Sequence, residues 1–476
     1  MPQPVNKLDQ LTTTRFIAAL SVVLFHGGGN IGILKYLPML SSGPTAVSYF
    51  YVLSGFVMAL VYYRPGKSFE IKKYWLARFS RIYPVYIFSF VLTCIYYFEI
   101  ISKVKADKIW ANVFLYQAWF AEYAQSFNIA AWSLSVEIFF YIIFPLVLLL
   151  TYRLTTRKII WGAIVFWAVS QLVHSAFFIQ RMPEMQATLS YSPIFHLNAF
   201  LLGVAGGVWY LGSKTKQINS SANSILLIGA TTMVLILLSL RDLTHVLPNT
   251  FSMDNGLLAP LFLVIILTLA ADTTKLTKWM SHPWLVTLGD ASYALYILHI
   301  PIRWLIERIL AATHLSVPYE AMYITYMIFV ILLSILVFKY IERPARDWLR
   351  DNPHKLKYII MDLISIYLMI RLAFLLRLGD GVSHFLHTQN FMLRVGITVY
   401  FLCLLGWGLY KAFSPKKLAF GILTGTILLT GFMYHAWLQA WVEGFPRPII
   451  ILAAVFIFGA MFLTRQTFPS PLQPKA

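Results

Sequence analysis

The segment Arg15–His26, RFIAALSVVLFH, decides how the chain is read. It is apolar along its middle, yet it opens on a guanidinium and closes on an imidazole. Both groups are costly in hydrocarbon and mark functional sites by default when they occur there. A separation of eleven residues, at about 100° per residue, returns to within about 20° of the start, so both side chains project from one helix face about 16 Å apart along the axis. That face carries an anion-binding group near one membrane surface and an acid/base group near the other. The spacing alone leaves a plainer alternative open, in which Arg15 snorkels to lipid headgroups and His26 bonds a neighbouring carbonyl.

Outward from this segment the whole chain is apolar: 59% of residues are hydrophobic, 12% are charged and the mean hydropathy is +0.70. Such values exclude an ordinary soluble domain. The apolar runs are about 17–25 residues long, the length an α-helix needs to cross about 30 Å of hydrocarbon. Spans are expected near 14–29, 45–63, 82–101, 131–151, 159–179, 193–211, 222–240, 256–272, 287–311, 320–341, 358–376, 392–412, 418–441 and 447–464. The expected fold is all-α, a polytopic transmembrane helical bundle. The short alternating segments of a membrane β-barrel are absent. No cleavable signal peptide is expected, because MPQPVNKLDQ is polar and the first apolar run carries Arg15.

A net charge of +19 raises the question of nucleic acid, but the distribution of Lys and Arg answers it. With both termini cytoplasmic, about 24 of them fall in cytoplasmic breaks and about 12 on the other side, the positive-inside pattern. The expected partner of this charge is therefore the membrane and its lipids, with no nucleic acid. Cys94 and Cys403 lie in apolar runs far apart, so neither a disulfide framework nor a zinc site is expected, and no metal is assigned.

The charged stretch ERPARDWLRDNPHKLK, 342–357, punctuated by Pro344 and Pro353, is the expected boundary. Ahead of it lies a ten-helix unit, 8–350, that holds nearly every intramembrane polar residue of interest. Behind it lies a four-helix extension, 356–465, of plainer composition. No internal repeat is evident, which argues against an inverted-repeat transporter. The aromatic segment from about 102 to 130 is expected to lie on or dip into the outer face.

Within the ten-helix unit, His26 precedes Gly27, Gly28 and Gly29, so glycines release the helix and leave room for a substrate beside the imidazole. Arg78 and Arg81, in ARFSRIYP, are three apart and share a face at the entrance to the third helix. Their fork geometry, like that of Arg15, suits phosphate; positive-inside anchoring would account for Lys72 and Lys73 before them. Glu137, in AAWSLSVEIFFY, lies about 9 Å in from the expected outer end of its helix, a depth near that of His26. A carboxylate there needs a partner, and pairing with His26 would hold the imidazole's tautomer. Tyr296 and His299, in LGDASYALYILHIP, share a face and are expected to bind substrate together with Trp132; a second acid/base pair or a buried structural bond is equally compatible. Ser54 and Gly55, in FYVLSGF, form a small-residue step suited to close helix packing rather than a nucleophile.

Taken in order, RFIAALSVVLFH, FYVLSGF, ARFSRIYP, AAWSLSVEIFFY, LGDASYALYILHIP and YIERPAR resemble the acyltransferase-3 family of integral membrane acyltransferases, over about residues 8–350. Its members typically modify sugars of bacterial surface polysaccharides. The resemblance implies a chain in the bacterial cytoplasmic (inner) membrane. It also implies acetyl-CoA, or another acyl-CoA, as a cytoplasmic donor substrate rather than a tightly bound cofactor, and an acceptor hydroxyl on a glycan or lipid-linked saccharide across the membrane. Arg15 and His26 match the family's essential pair, Arg78 and Arg81 its paired arginines, and Glu137 the acidic position of its fourth-helix motif. The chain departs from the family at Asp9, which is six residues before Arg15 rather than three, and in ending with four further spans where some members carry a soluble domain. On this basis Arg15, Arg78 and Arg81 are expected to bind the donor's phosphates, and His26, oriented by Glu137, to act as general base or to carry the acyl group transiently. Rival readings are a non-enzymatic transporter or flippase of a lipid-linked glycan, and a scaffold whose polar residues are structural.

Overall fold

The structure, a computed structural model, describes residues 8–28, 31–32, 43–97, 104–179, 183–212, 220–244, 253–410, 413–444 and 446–467. Every regular element among them is helical, and eleven helices are long and apolar enough to cross a membrane, up to twelve if a bent pair counts as one. The chain is an all-α polytopic membrane protein. It divides into two compact units, Met1–Tyr96 with Lys105–Asp347, and Tyr97–Val104 with Trp348–Ala476.

The long helices of the first unit are α1 (Asp9–Phe25), α2 (Gly43–Tyr62), α3 (Ile71–Tyr96), α4 (Trp132–Arg153), α5 (Thr156–Ile179), α6 (Leu197–Gly212), α7 (Ser220–Thr244), α8 (Ala259–Ala271), α9 (Pro283–Asp290), α10 (Ser292–Ala312) and α11 (Tyr319–Val337). Those of the second are α12 (Pro353–Leu378), α13 (Leu386–Gly406), α14 (Pro415–Leu438) and α15 (Arg447–Thr467).

Two helices begin earlier than their apolar runs. α1 starts at Asp9 because its polar first turns find partners inside the unit: Gln10 donates to the Leu269 carbonyl (2.9 Å) and Thr13 to the Met280 carbonyl (2.6 Å). α3 starts at Ile71, so Lys72, Lys73, Arg78 and Arg81 are helical and the two arginines sit about 10 and 15 Å from its start. The span expected at 287–311 is broken, with α9 and α10 meeting at 54°.

Prolines inside helices are tolerated in a membrane when another group takes up the carbonyl that the missing N–H would have bonded. Pro301 leaves the Ile297 carbonyl free, and it accepts from Ser89 Oγ (3.0 Å) and Asn128 Nδ2 (2.7 Å). Pro145 does the same for the Tyr141 carbonyl, which accepts from the Tyr74 hydroxyl (2.9 Å). Asn128 belongs to the aromatic segment expected on the outer face; that segment therefore reaches in between α3 and α10, while its Trp110, Trp119 and Phe120 stay exposed.

α2 and α6 touch backbone to backbone. A Cβ on Gly55 would lie 2.1 Å from the Phe200 carbonyl oxygen, and one on Gly203 would lie 2.0 Å from that of Val52. Only glycine fits this seam. In the second unit, Phe374, Tyr400, Leu429 and Ile457 are fully buried and form the centre of a separate core.

Candidate active site

Five helices of the first unit enclose a cavity of about 100 Å³. α1 contributes Arg15, α2 Phe50 and Ser54, α3 Arg78 and Arg81, α4 Ser133, Glu137 and Tyr141, and α10 Tyr293 and Tyr296. Arg78 lies over the rings of Tyr62 (5.6 Å) and Tyr141 (5.5 Å) and donates to the Tyr62 hydroxyl (3.3 Å), while its buried Nε has no hydrogen-bond partner. Among the described residues, none of Arg15, Arg78 and Arg81 forms a salt bridge. Carboxylates stand nearby: Arg15 is within electrostatic reach of Glu137, Glu342 and Asp290. A desolvated guanidinium without a bonded anion is expensive, so three of them around one space make a site for an anionic group.

Tyr296 forms the wall between this cavity and a histidine pair. Its hydroxyl bonds Ser133 Oγ (2.7 Å), and its ring centroid lies 6.1 Å from that of His299. His299 is fully buried, and its Nε2 lies 3.1 Å from Nδ1 of His26. His26 follows the last residue of α1, where the final carbonyls have no helical partner, and other helices of the unit supply donors to three carbonyls at this end. The Tyr323 hydroxyl donates to the Val23 carbonyl (2.8 Å), the Tyr319 hydroxyl to that of Gly27 (2.8 Å), and Arg303 Nη1 to that of His26. Gly27 is required for this cap, because a Cβ there would lie 2.4 Å from the Tyr323 ring and 2.8 Å from Arg303. Arg303 in turn pairs with Glu307 (2.7 Å), which lines a second, open cavity of about 470 Å³ bounded also by His314, Ser316 and Tyr319. His26 itself lines neither cavity: it connects to the first through His299 and Tyr296, and its neighbour Gly27 connects to the second through Tyr319.

Several sequence expectations are corrected here. Glu137 does not orient His26: its carboxylate accepts from the Tyr141 hydroxyl one turn along α4 and faces the arginine cavity. Similar depth on two helices does not make two side chains neighbours; the imidazole's ring partner is His299. Trp132 does not line the arginine cavity, because its indole packs between Tyr191 and His196 at centroid distances of 5.3 Å each. The glycines after His26 were expected to leave room for a substrate; beside Gly27 that room is occupied by Tyr323 and Arg303, and Gly29 lies outside the described residues. Ser54 lines the cavity, beside the glycine of the α2–α6 seam.

Two residues were missed. Arg303 sits within an apolar stretch of α10, one turn beyond His299, and that intramembrane charge was a readable signal. Glu342 lies in YIERPAR, a segment noted for its resemblance and as the start of the expected boundary, not for a site. It ends a five-residue π turn, Phe338–Glu342, a distortion frequent at functional sites. It is 3% exposed, its Oε2 has no hydrogen-bond partner, and it is within electrostatic reach of Arg81 and Arg15.

Comparison with known proteins identifies the family. The acyltransferase-3 family model, described as an acyltransferase domain, matches residues 8–339. The chain is 28% identical over 328 residues to acyltransferase MdmB of Streptomyces mycarofaciens, covering 63% of this chain and 80% of that protein. It is 25% identical over 355 residues to a provisionally assigned O-acetyltransferase of Staphylococcus aureus (strain COL), covering 70% and 56%, and 26% identical over 360 residues to the peptidoglycan O-acetyltransferase OatA of Listeria monocytogenes serovar 1/2a (strain ATCC BAA-679 / EGD-e), covering 70% and 54%. The chain therefore spans little more than half the length of the latter two. No solved structure matches it. A matched domain that contains both the arginine cavity and the histidine pair establishes that this chain belongs to the acyltransferase-3 family of membrane acyltransferases.

Proposed function

We propose that the chain moves an acyl group, by default acetyl, from cytoplasmic acyl-CoA to a hydroxyl of a cell-surface or lipid-linked glycan on the outer side of the bacterial cytoplasmic membrane, with both its termini cytoplasmic. Arg15, Arg78 and Arg81 around one cavity, none in a salt bridge among the described residues, carry this proposal. Phosphate meets the guanidinium fork in two parallel hydrogen bonds, and CoA is rich in phosphate. At about 100 Å³ the cavity is smaller than the roughly 300–1,000 Å³ of sites that enclose a drug-sized ligand, so it takes one group or the narrow pantetheine arm and leaves the adenosine outside. The name of the Listeria relative supports an O-acetyl product on a glycan.

In this proposal the acyl thioester arrives past Tyr296 and the acceptor approaches His26 from the second cavity. The acceptor oxygen attacks the thioester carbonyl as His26 takes its proton. The carbon–sulfur bond then breaks, and CoA leaves as a thiolate that recovers a proton. In the competing covalent route Nε2 of His26 itself attacks the thioester carbonyl and expels CoA as a thiolate; the acceptor oxygen then attacks the acyl-imidazole, the carbon–nitrogen bond breaks and the hydroxyl proton is taken up by the released imidazole. Glu137, which faces the arginines, is assigned to the donor side, and Tyr296 and His299 to the path between the two substrates.

The test uses purified protein in lipid nanodiscs with radiolabelled acetyl-CoA and candidate glycans. Wild type is expected to release CoA and label the acceptor, and a folded His26→Ala variant to lose about 10²–10⁴-fold in rate. A burst of CoA without acceptor, with a trapped acyl-histidine, selects the covalent route. A wild type that binds no acyl-CoA overturns the proposal and puts the transporter first.

A further inference from the structure

Resting on the reading of His26 as the reacting histidine, we infer that His299 is a positioning residue that, together with the Val22 carbonyl, fixes the tautomer of His26 and leaves the Nε2 lone pair of His26 free for the substrate. The inference comes from three contacts that admit one arrangement of protons between neutral rings. Nδ1 of His299 lies 2.6 Å from the Tyr296 carbonyl oxygen, which only accepts, so that nitrogen carries the hydrogen. A neutral His299 then presents a lone pair at Nε2. This lone pair faces Nδ1 of His26 at 3.1 Å, and the same Nδ1 lies 2.9 Å from the Val22 carbonyl oxygen. Two acceptors converge on one nitrogen, so His26 carries its hydrogen on Nδ1 and keeps Nε2 unprotonated.

The surroundings favour the neutral pair. His299 is 0% exposed, and Arg303, one turn further along α10, brings a positive charge to the His26 carbonyl, so a second cation on either ring would be both desolvated and repelled. Both rings are also anchored through their backbones from other helices. Arg303 holds the carbonyl of His26, and the Tyr326 hydroxyl donates to that of His299 at 2.9 Å. The pair therefore does for His26 what an orienting carboxylate does for the histidine of a hydrolase triad, without placing a charge in the membrane.

The test is a nitrogen NMR spectrum of the full chain in nanodiscs with ¹⁵N-labelled histidine, the His26 signals being identified by their loss in His26→Gln. Wild type is expected to show a protonated Nδ1 and an unprotonated Nε2 at His26. His299→Leu leaves the Val22 carbonyl as the remaining acceptor at Nδ1 of His26, and is expected to raise the share of Nε2-protonated His26 and to lower kcat in proportion, by roughly a few-fold, with little change in donor KM. His299→Gln, whose amide oxygen also accepts from Nδ1, is expected to restore the wild-type tautomer and part of the rate, which a merely structural role would not do. A wild-type His26 protonated at Nε2, or a folded His299→Leu with unchanged spectrum and kcat, overturns the inference. Should His299→Leu fail to fold, the wild-type and His299→Gln spectra decide. The spectrum needs no turnover, so the predicted tautomer in a protein that transfers no acyl group would sink the enzymatic reading while leaving the tautomer assignment standing.

Discussion

In the second unit Arg465, 6% exposed, gives its two terminal nitrogens to the two oxygens of a fully buried Asp362 at 3.2 and 2.7 Å, and its guanidinium lies over the rings of Tyr358 (4.4 Å) and Phe413 (5.8 Å). In the first unit Arg15, Arg78 and Arg81 stand around a cavity, with carboxylates in electrostatic reach but no salt bridge among the described residues. The residue type is the same in the two places, with Arg465 buried and the other three half-buried around their cavity; what sets them apart chemically is whether the protein supplies the anion. A guanidinium closed on an aspartate is a staple between α12 and α15. Guanidiniums left around a space specify something that must come from outside. A buried arginine in a membrane protein is therefore informative through its partner list, more than through its depth.

The strongest way to break this contrast is to remove the internal anion. Asp362→Asn leaves Arg465 buried and uncompensated and should cost about 3–5 kcal/mol, read as a fall in the unfolding midpoint in detergent. The double variant Asp362→Leu with Arg465→Met should recover most of that loss, because it leaves no orphaned charge. Arg15→Met should behave in the opposite way. It is expected to shift stability by less than about 1 kcal/mol while weakening acyl-CoA binding by about 10–150-fold, the value of one charge-assisted contact of about 1.5–3 kcal/mol. An Arg15→Met variant that unfolds as readily as Asp362→Asn would erase the distinction between the two units.

Arg78→Lys sharpens the comparison within the cavity. It keeps the charge but loses the planar fork and the stacking on Tyr62 and Tyr141, and about a tenfold rise in donor KM is expected from steady-state kinetics. The smallest effect is expected at Glu342. Its carboxylate competes with an incoming anion for Arg81 and Arg15, so Glu342→Gln should tighten acyl-CoA binding a few-fold in equilibrium titration. Weaker binding would mean that Glu342 holds the arginines in place instead.

Much of the architecture could be read before any coordinates, since the expected spans correspond to helices, although the one at 287–311 is broken at 54°, the one at 256–272 shortens to the 13 residues of α8, and the limits of others moved. They moved where polar residues found partners inside the protein, as Gln10 and Thr13 do at the start of α1, or where no breaker stood before Pro84 in α3. Hydropathy records transfer from water to lipid, and it cannot see a hydrogen bond to another helix. The same blindness explains the site. Arg15, His26, Arg78 and Arg81 stood out as charges in apolar segments, but the depth argument that joined Glu137 to His26 missed the rotation of α4, which turns Glu137 toward the arginines. Glu342 was passed over because its charged segment looks like a solvated break, whereas a π turn carries it inside.

By itself the sequence determined that this is an all-α protein of the membrane, where the polar residues within the membrane lie, and that its motifs are those of the acyltransferase-3 family. These follow from composition, run length and local spacing, which act along the chain. Only the tertiary structure decided which polar groups meet: that three arginines share a cavity, that Arg465 closes on Asp362, and that His26 pairs with His299 rather than Glu137. Such meetings depend on the rotation and register of helices distant in sequence, set by contacts such as the glycine seam of α2 and α6 and the carbonyls freed by Pro145 and Pro301. No local pattern encodes them.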